Sequence, residues 1–364
     1  MTSGRALATS LFLSSVLIGA CSQASSPAAA GPSDDDAGAA DAGDPVDPVI
    51  LARPYAVYVP PSYAANKPAP LVLAFHGYGS GDTGKILETY FKLKRVANKE
   101  GFLYITPDGI KDRDKPQFWN GTDACCDFYK NGSDDVAYVR AIIDDVAKHY
   151  NLDQKRVYVT GLSAGGFFVH RLACDLSDRI AAVVSVSGAT YADASKCKPN
   201  EGLSIVEMHG DMDDTVDYMG GTQDYGNVHN VPYPSAHDTA AHWAAYNGCT
   251  GPLANTTTTY DLEAPVPGAE THVAAYAGCA KGAMELWTVQ GGPHFTYLTP
   301  TFGPPCGASS PRTRRSRAAF GSRGIRIERA PCVHLDDTSH APHPAAGSKN
   351  WRKNPASHES PDVA

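Results

Sequence analysis

The sequence predicts an α/β fold: a mostly parallel central sheet with helices on both faces. Three observations lead there. Short apolar or β-branched runs alternate with segments of helical spacing across residues 50–303. Leu71-Val-Leu-Ala-Phe75 is apolar at every position, as a strand covered on both faces requires. The runs stop at turn residues, such as Pro60-Pro61, His76-Gly77 and Pro107-Asp108-Gly109. In such a sheet the functional site lies at the carboxyl ends of the strands.

Each element has its own warrant. Tyr55 to Val59 reads as a strand ended by two prolines, which fix φ and donate no hydrogen bond. Leu71–Phe75 is a buried strand. Ile86 to Ala97 reads as one helix, with Ile86, Tyr90, Leu93 and Val96 on a single face. Phe102–Thr106 is the next strand. Ser133-Asp134-Asp135 offers a cap and acidic first-turn residues to a helix with Val136, Val139, Ile142, Ile143 and Val146 on its apolar face. The β-branched strand Arg156–Thr160 runs straight into Gly-Leu-Ser-Ala-Gly at 161–165, and Ala164 to Cys174 then reads as a helix. Ala181–Val186 and Leu203–Met208 are two more strands, His237 to Tyr246 is helical, and Met284–Val289 is a late strand.

The ends differ from this body. Residues 1–21 read as an export signal: Arg5, an apolar stretch from Ala6 to Ile18, and small residues before Cys21. Ile18-Gly-Ala-Cys21 resembles a bacterial lipobox, in which the cysteine is lipidated. Residues 22–49, rich in Ala, Asp, Gly and Pro, read as a disordered acidic tether. From Gly307 onward the chain holds 10 Lys+Arg against 5 Asp+Glu, while the whole 364-residue chain carries −8. Residues 304–364 therefore read as a low-complexity, Arg-rich tail, disordered and set apart from one α/β domain at 50–303.

The 9 cysteines lack any Cys-x-x-Cys pair. In an exported chain that favours disulfides over a metal site. No metal, cofactor or nucleic-acid partner is expected, and the chain is expected to be a monomer.

Chemistry concentrates at three strand ends. Ser163 sits where a strand turns into a helix between Gly161 and Gly165, a place where a sharp elbow exposes a nucleophile. The strand ending at Met208 opens into His-Gly-Asp-Met-Asp-Asp-Thr-Val-Asp-Tyr. Asp211, Asp213, Asp214 and Asp217 all compete there for the role of orienting carboxylate, and spacing does not choose among them. His294 follows the last strand on a Gly-Gly-Pro loop, a position suited to a site rather than to a helix face. The order Ser, Asp, His is that of α/β-hydrolases. The backbone N–H of Ala164 and that of Tyr78, just past His76-Gly77, are the expected oxyanion donors. Tyr78, Phe118, Trp119 and Phe295 are candidate aromatic walls for a substrate, with Trp119 and Phe295 preferred.

Taken together, LVLAFHG, WNGTDACCD, DDVAYVRAIIDDV, RVYVTGLSAGG, HGDMDDTVDY and GGPHF resemble the secreted esterase family that includes polyhydroxybutyrate depolymerases and feruloyl or acetylxylan esterases. The resemblance runs from about Arg53 to Leu298 and implies the α/β-hydrolase fold. The family's His-Gly-x-x-Asp-x-x-Val pattern implies Asp213 as the catalytic acid. It also implies a Cys249–Cys279 disulfide. It further suggests a bond from the Cys125-Cys126 pair toward the helix ending at Cys174, with Cys125, Cys126, Cys174 and Cys197 having three connectivities. The chain departs from the family at Val216-Asp217, where Val-Pro is usual. It departs again at Pro293-His294-Phe295, where Gly-His-x-Trp is usual, and in lacking a closing helix after the histidine.

The resulting expectation is an extracytoplasmic serine esterase, attached to a membrane only through a lipid on Cys21. Its substrates would be polyhydroxybutyrate-type or feruloyl and acetyl polysaccharide esters. Two alternatives stay open at this point: a serine peptidase on the same fold, and a non-catalytic surface lipoprotein that binds polymer or glycan.

Overall fold

The computed structural model describes residues 47–79, 83–112 and 116–294. All of these fall in the unit Val46–Ala364. The signal segment with Cys21, most of the tether, Phe295 and the tail lie outside the described residues.

The chain enters through α1 (Pro48–Ala52), with Pro48 opening the first turn and the Asp47 carboxylate accepting the Val49 N–H at 2.8 Å. The last residues read as tether are thus already helical. β1 (Val57–Tyr58) is a short edge strand, and β2 (Ala69–Phe75) is buried along almost all its length. The single helix expected from Ile86 to Ala97 is two, α2 (Thr83–Phe91) and α3 (Leu93–Glu100). Lys92 between them has φ 50°, left-handed backbone that ends one helix and re-aims the next. The Glu88 carboxylate then accepts the Lys94 N–H at 3.2 Å.

β3 (Leu103–Ile105) follows, then the small pair β4 (Ile110–Lys111) and β5 (Gln117–Phe118). α4 (Asp135–His149) is capped by Asp134, whose carboxylate accepts the Ala137 N–H. β6 (Leu152–Leu162) leads into α5 (Ala164–Asp175), and β7 (Ala182–Val186) and β8 (Ser204–Gly210) come next. A two-stranded ribbon, β9 (Gly221–Tyr225) and β10 (Val228–Tyr233), precedes α6 (Ala236–Tyr246). The described chain closes with β11 (Leu253–Tyr260), β12 (Thr271–Tyr276) and β13 (Ala283–Val289).

Nine strands form one sheet in the order β1-β3-β2-β6-β7-β8-β13-β12-β11. The six from β3 to β13 are parallel, and antiparallel strands extend both edges. The period of two in β2 divides the core. Leu71, Leu73 and Phe75 pack in a cluster with α4, α5 and α6 residues, including Ile142, Phe168 and Trp243. Val72 and Ala74 face a second cluster built on Leu87, Phe91, Leu93 and Val96 of α2 and α3. Helices therefore cover both faces, as the sequence predicts.

Three disulfides are present among the described residues. Cys249–Cys279 forms as the family resemblance implies. The other four cysteines pair as Cys125–Cys126 and Cys174–Cys197. The expected bond from the Cys125-Cys126 pair toward Cys174 is not formed. Cys174, at the end of α5, instead meets Cys197, just past a short 3₁₀ turn at Ala194–Lys196.

Candidate active site

The register of the sheet brings the chemistry-bearing loops together. Phe75 pairs with Gly161, so β2 and β6 end level, and His76-Gly77 emerges beside Leu162-Ser163. This is where the strand order reverses, since β3 lies on one side of β2 and β6 on the other. Crevices in open α/β sheets form at such points. Gly210 pairs with Val289, so the loops after β8 and β13 also leave the sheet together.

Ser163 occupies a sharp turn with φ 57° and ψ −117°, and its N–H donates to the Val186 carbonyl at 2.8 Å. A non-glycine residue here stores strain, on the order of 1–3 kcal/mol, that the surrounding bonds must offset. The neighbouring glycines are steric necessities. A Cβ on Gly161 would run into the Gly165 carbonyl, and one on Gly165 would run into that of Phe75. The turn leaves Ser163 half-buried at the N-terminus of α5. The first N–H groups of that helix, beginning with Ala164, have no intrahelical acceptor.

Ser163 Oγ lies 2.9 Å from His294 Nε2, and His294 Nδ1 lies 2.8 Å from Asp213 Oδ2. His294 and Asp213 are both buried. Asp213 Oδ1 accepts the N–H groups of Thr215 and Val216 at 2.9 and 2.8 Å. Burial alone would raise the Asp213 pKa. Hydrogen bonds from His209 and His294 outweigh it and hold the carboxyl far below the usual range, so it is ionised. A carboxylate can only accept, so His294 carries its proton on Nδ1 and turns the Nε2 lone pair toward Ser163.

The two loops that supply this pair are tied to each other. Asp211 Oδ1 accepts the Gly291 N–H at 2.6 Å, and the Met212 N–H donates to the Gly292 carbonyl at 3.1 Å. From below, Ser187 Oγ donates to the His294 carbonyl at 3.2 Å. Pro293, a departure from the family pattern, is exposed and leaves both His294 contacts formed.

The loop after β2 is held as firmly. His76 is buried, and its Nε2 accepts the Gly109 N–H at 2.9 Å while Nδ1 donates to the Gly77 carbonyl at 2.7 Å. Burial lowers its pKa, in keeping with a neutral ring. A Cβ placed on Gly77 would stand 3.4 Å from Ser163 Cβ, so the backbone leading into Tyr78 passes directly beside the serine.

The sequence, compared with known families, matches the one described as "Esterase PHB depolymerase" over residues 53–233. Over those residues the chain is similar to the esterases of that family. It is 29% identical over 248 residues to feruloyl esterase B of Piromyces equi, a match covering 66% of this chain and 42% of that protein. A bifunctional acetylxylan esterase/xylanase of Neocallimastix patriciarum is 32% identical over 163 residues, covering 45% of this chain and 22% of that protein. The chain thus spans less than half the length of these two relatives. Among solved structures, the acetyl xylan esterase from Aspergillus awamori aligns at 18% identity with a TM-score of 0.45, covering 67% of this chain and 88% of that one.

Around His294 the competing acids separate by contact. Asp213 meets His294, and Asp211 pins the histidine loop. Exposed Asp214 bonds the neighbouring Thr215 hydroxyl, and exposed Asp217 accepts the Met219 N–H. Trp119 needs correction as a substrate wall. It is fully buried, lies 5.0 Å from the rings of both Phe75 and Phe168, and stacks flat on Phe168. Phe118 is equally buried. An aromatic side chain serves core and wall alike, so residue type alone misplaced them. Tyr78 is half-buried, with its ring 5.1 Å from Phe128 and its hydroxyl on Asp112. Sequence reading missed Glu207 and His209, which stand directly behind Asp213. A signal existed: Glu207 is a lone charge in the otherwise apolar core of a buried strand, and such a group needs a partner.

Proposed function

We propose that this chain is a serine carboxylic-ester hydrolase that works through an acyl-enzyme on Ser163. The unbroken hydrogen-bond chain from Ser163 through His294 to ionised Asp213, at the switch point of an α/β sheet, is the observation that carries this reading. His294 Nε2 takes the Ser163 proton as Oγ attacks the ester carbonyl. Asp213 fixes the Nδ1–H tautomer and stabilises the imidazolium that forms. The Ala164 and Tyr78 N–H groups receive the oxyanion, each worth about 3 kcal/mol in the transition state. His294 then gives its proton to the leaving alcohol. Water repeats the attack on the acyl-enzyme with His294 again as base, and the acid departs.

The substrates proposed are feruloyl or acetyl esters of plant polysaccharide, supported by what the named relatives act on. Polyhydroxybutyrate-type polyesters are the second reading, favoured by the description of the matching family. Work outside the cytoplasm, on a lipid anchor at Cys21, is supported by the Cys174–Cys197 and Cys249–Cys279 disulfides together with the lipobox-like sequence.

The test is side-by-side hydrolysis of p-nitrophenyl acetate, methyl ferulate, acetylated xylan and hydroxybutyrate oligomers by the full chain and by Ser163→Ala. Cleavage by the wild type, with the variant at least about 10³-fold slower, is expected. Equal rates in the two proteins would refute the serine mechanism. A preference for the oligomers would move the assignment to the polyester reading.

A further inference from the structure

Behind Asp213 a row of polar side chains runs from the end of β8 into the layer of α5 and α6, on one face of the sheet. The Trp243 indole on α6 donates to His170 Nδ1 at 2.9 Å. An indole N–H can only donate, so His170 Nδ1 accepts and its Nε2–H is directed at Glu207 Oε2, 2.9 Å away. Glu207 Oε1 faces His209 Nδ1 at 3.2 Å. His209 Nε2 faces the Val216 carbonyl at 2.8 Å and Asp213 Oδ2 at 3.2 Å. Glu207 and His170 are fully buried, and His209 is 2% exposed. Among the described residues, no group of His, Cys, Asp and Glu is arranged to hold a metal ion.

We propose that His209, carried as an imidazolium between the Glu207 and Asp213 carboxylates, is a positioning residue for the Asp213–His294 pair. This rests on the reading of Ser163, His294 and Asp213 as the catalytic set. Both His209 nitrogens face groups that only accept, so a neutral ring would press one lone pair against an acceptor. The other groups packed around it do not relieve this. The Tyr218 ring stands edge-on at 5.6 Å, with its hydroxyl turned away to Thr288 and His237. Burial alone would lower the His209 pKa, but the hydrogen bonds it donates to Asp213 and Glu207 raise it to about 9. Burial likewise pushes Glu207 up, and its bonds from His170 and His209 bring it below the ordinary carboxyl range. Both directions, with acceptors facing each His209 nitrogen, favour the proton on His209 over Glu207.

The charge count explains the use of this arrangement. Two buried carboxylates without a cation would repel, and one would take up a proton. With His209 charged, one negative charge remains in the row while His294 is neutral. When His294 takes the Ser163 proton, the row becomes neutral overall. The buried charge is thus balanced in the transition state rather than in the resting enzyme, which is where stabilisation raises the rate.

Two measurements test this. The first is the histidine ring nitrogen NMR spectrum of the full chain at neutral pH. It is expected to show both His209 nitrogens protonated, and a neutral His209 overturns the proposal. The second is the pH profile of kcat/KM for Glu207→Gln, which keeps shape and removes charge. Its alkaline limb is expected to move toward acid by at least about one pH unit relative to wild type, because His209 loses the charge that holds its proton. A folded variant with an unmoved limb contradicts the inference. If the variant does not fold, the wild-type spectrum alone decides. A Ser163 that reacts with a fluorophosphonate, beside a neutral His209, sinks this inference and leaves the catalytic reading intact. A folded wild type whose Ser163 does not react removes the catalytic reading itself.

Discussion

Asp213 is the residue on which two histidines converge, and its substitution separates geometry from charge. Asp213→Asn keeps the shape but turns an N–H toward His294 Nδ1, forcing the wrong tautomer. A fall in kcat of about 10⁴-fold is expected, with KM little changed, by steady-state kinetics on an ester. His209 gives a stability signature with a definite sign. Its folded pKa, about 9, lies above the ordinary 6.5. Its contribution is therefore fully present below about 6.5 and lost as pH rises through about 9. Thermal unfolding of wild type against His209→Gln should show a Tm gap in acid that narrows in alkali. At this scale the serine and histidine were legible because turn chemistry is local: Gly161 and Gly165 announce a close backbone approach. Asp213 needed a family pattern, because choosing among four aspartates depends on where a loop from β13 returns, a long-range fact. Trp119 was misread because ring type does not encode which side of β2 it packs on.

Elements buried on both sheet faces were read from sequence because burial writes a mostly apolar run, continuous in β2 and broken in β8 by Glu207. The outer strands left no such trace. β11, Leu-Ala-Asn-Thr-Thr-Thr-Thr-Tyr, is almost wholly exposed, and the ribbon of β9 and β10 is mostly so. Their pairing rests on backbone bonds and β-branched residues rather than on a hydrophobic stripe. The break at Lys92 was equally silent, since an apolar face continues across both α2 and α3. Cys249–Cys279 joins the turn after α6 to the turn before β13, the strand that delivers His294. The same turns are also bonded through Lys281 N–H to the Asn247 carbonyl at 3.0 Å. Closing a loop with a sequence separation of 30 contributes about 3 kcal/mol. Cys249→Ser with Cys279→Ser is therefore expected to lower Tm by roughly 6 to 12 °C. An unchanged melting curve would show that the backbone bonds suffice.

Across the whole molecule, the parallel sheet converts distant sequence into one site. Residues near 76, 163, 210 and 290 meet because β2, β6, β8 and β13 run the same way and end at matching registers. The alternation of strands and helices predicted that plan. Sequence pattern did not reveal the polar row from Trp243 to Asp213, because its members lie on α6, α5 and β8 and meet only when helix packs on sheet. The central claim, that this architecture activates Ser163, is tested most directly by covalent labelling. The full chain is treated with a fluorophosphonate and digested, and the adduct is located by mass spectrometry. One adduct per chain on Ser163, abolished in His294→Ala, is the expected result. A folded protein that takes no label, or takes it elsewhere, would contradict the claim.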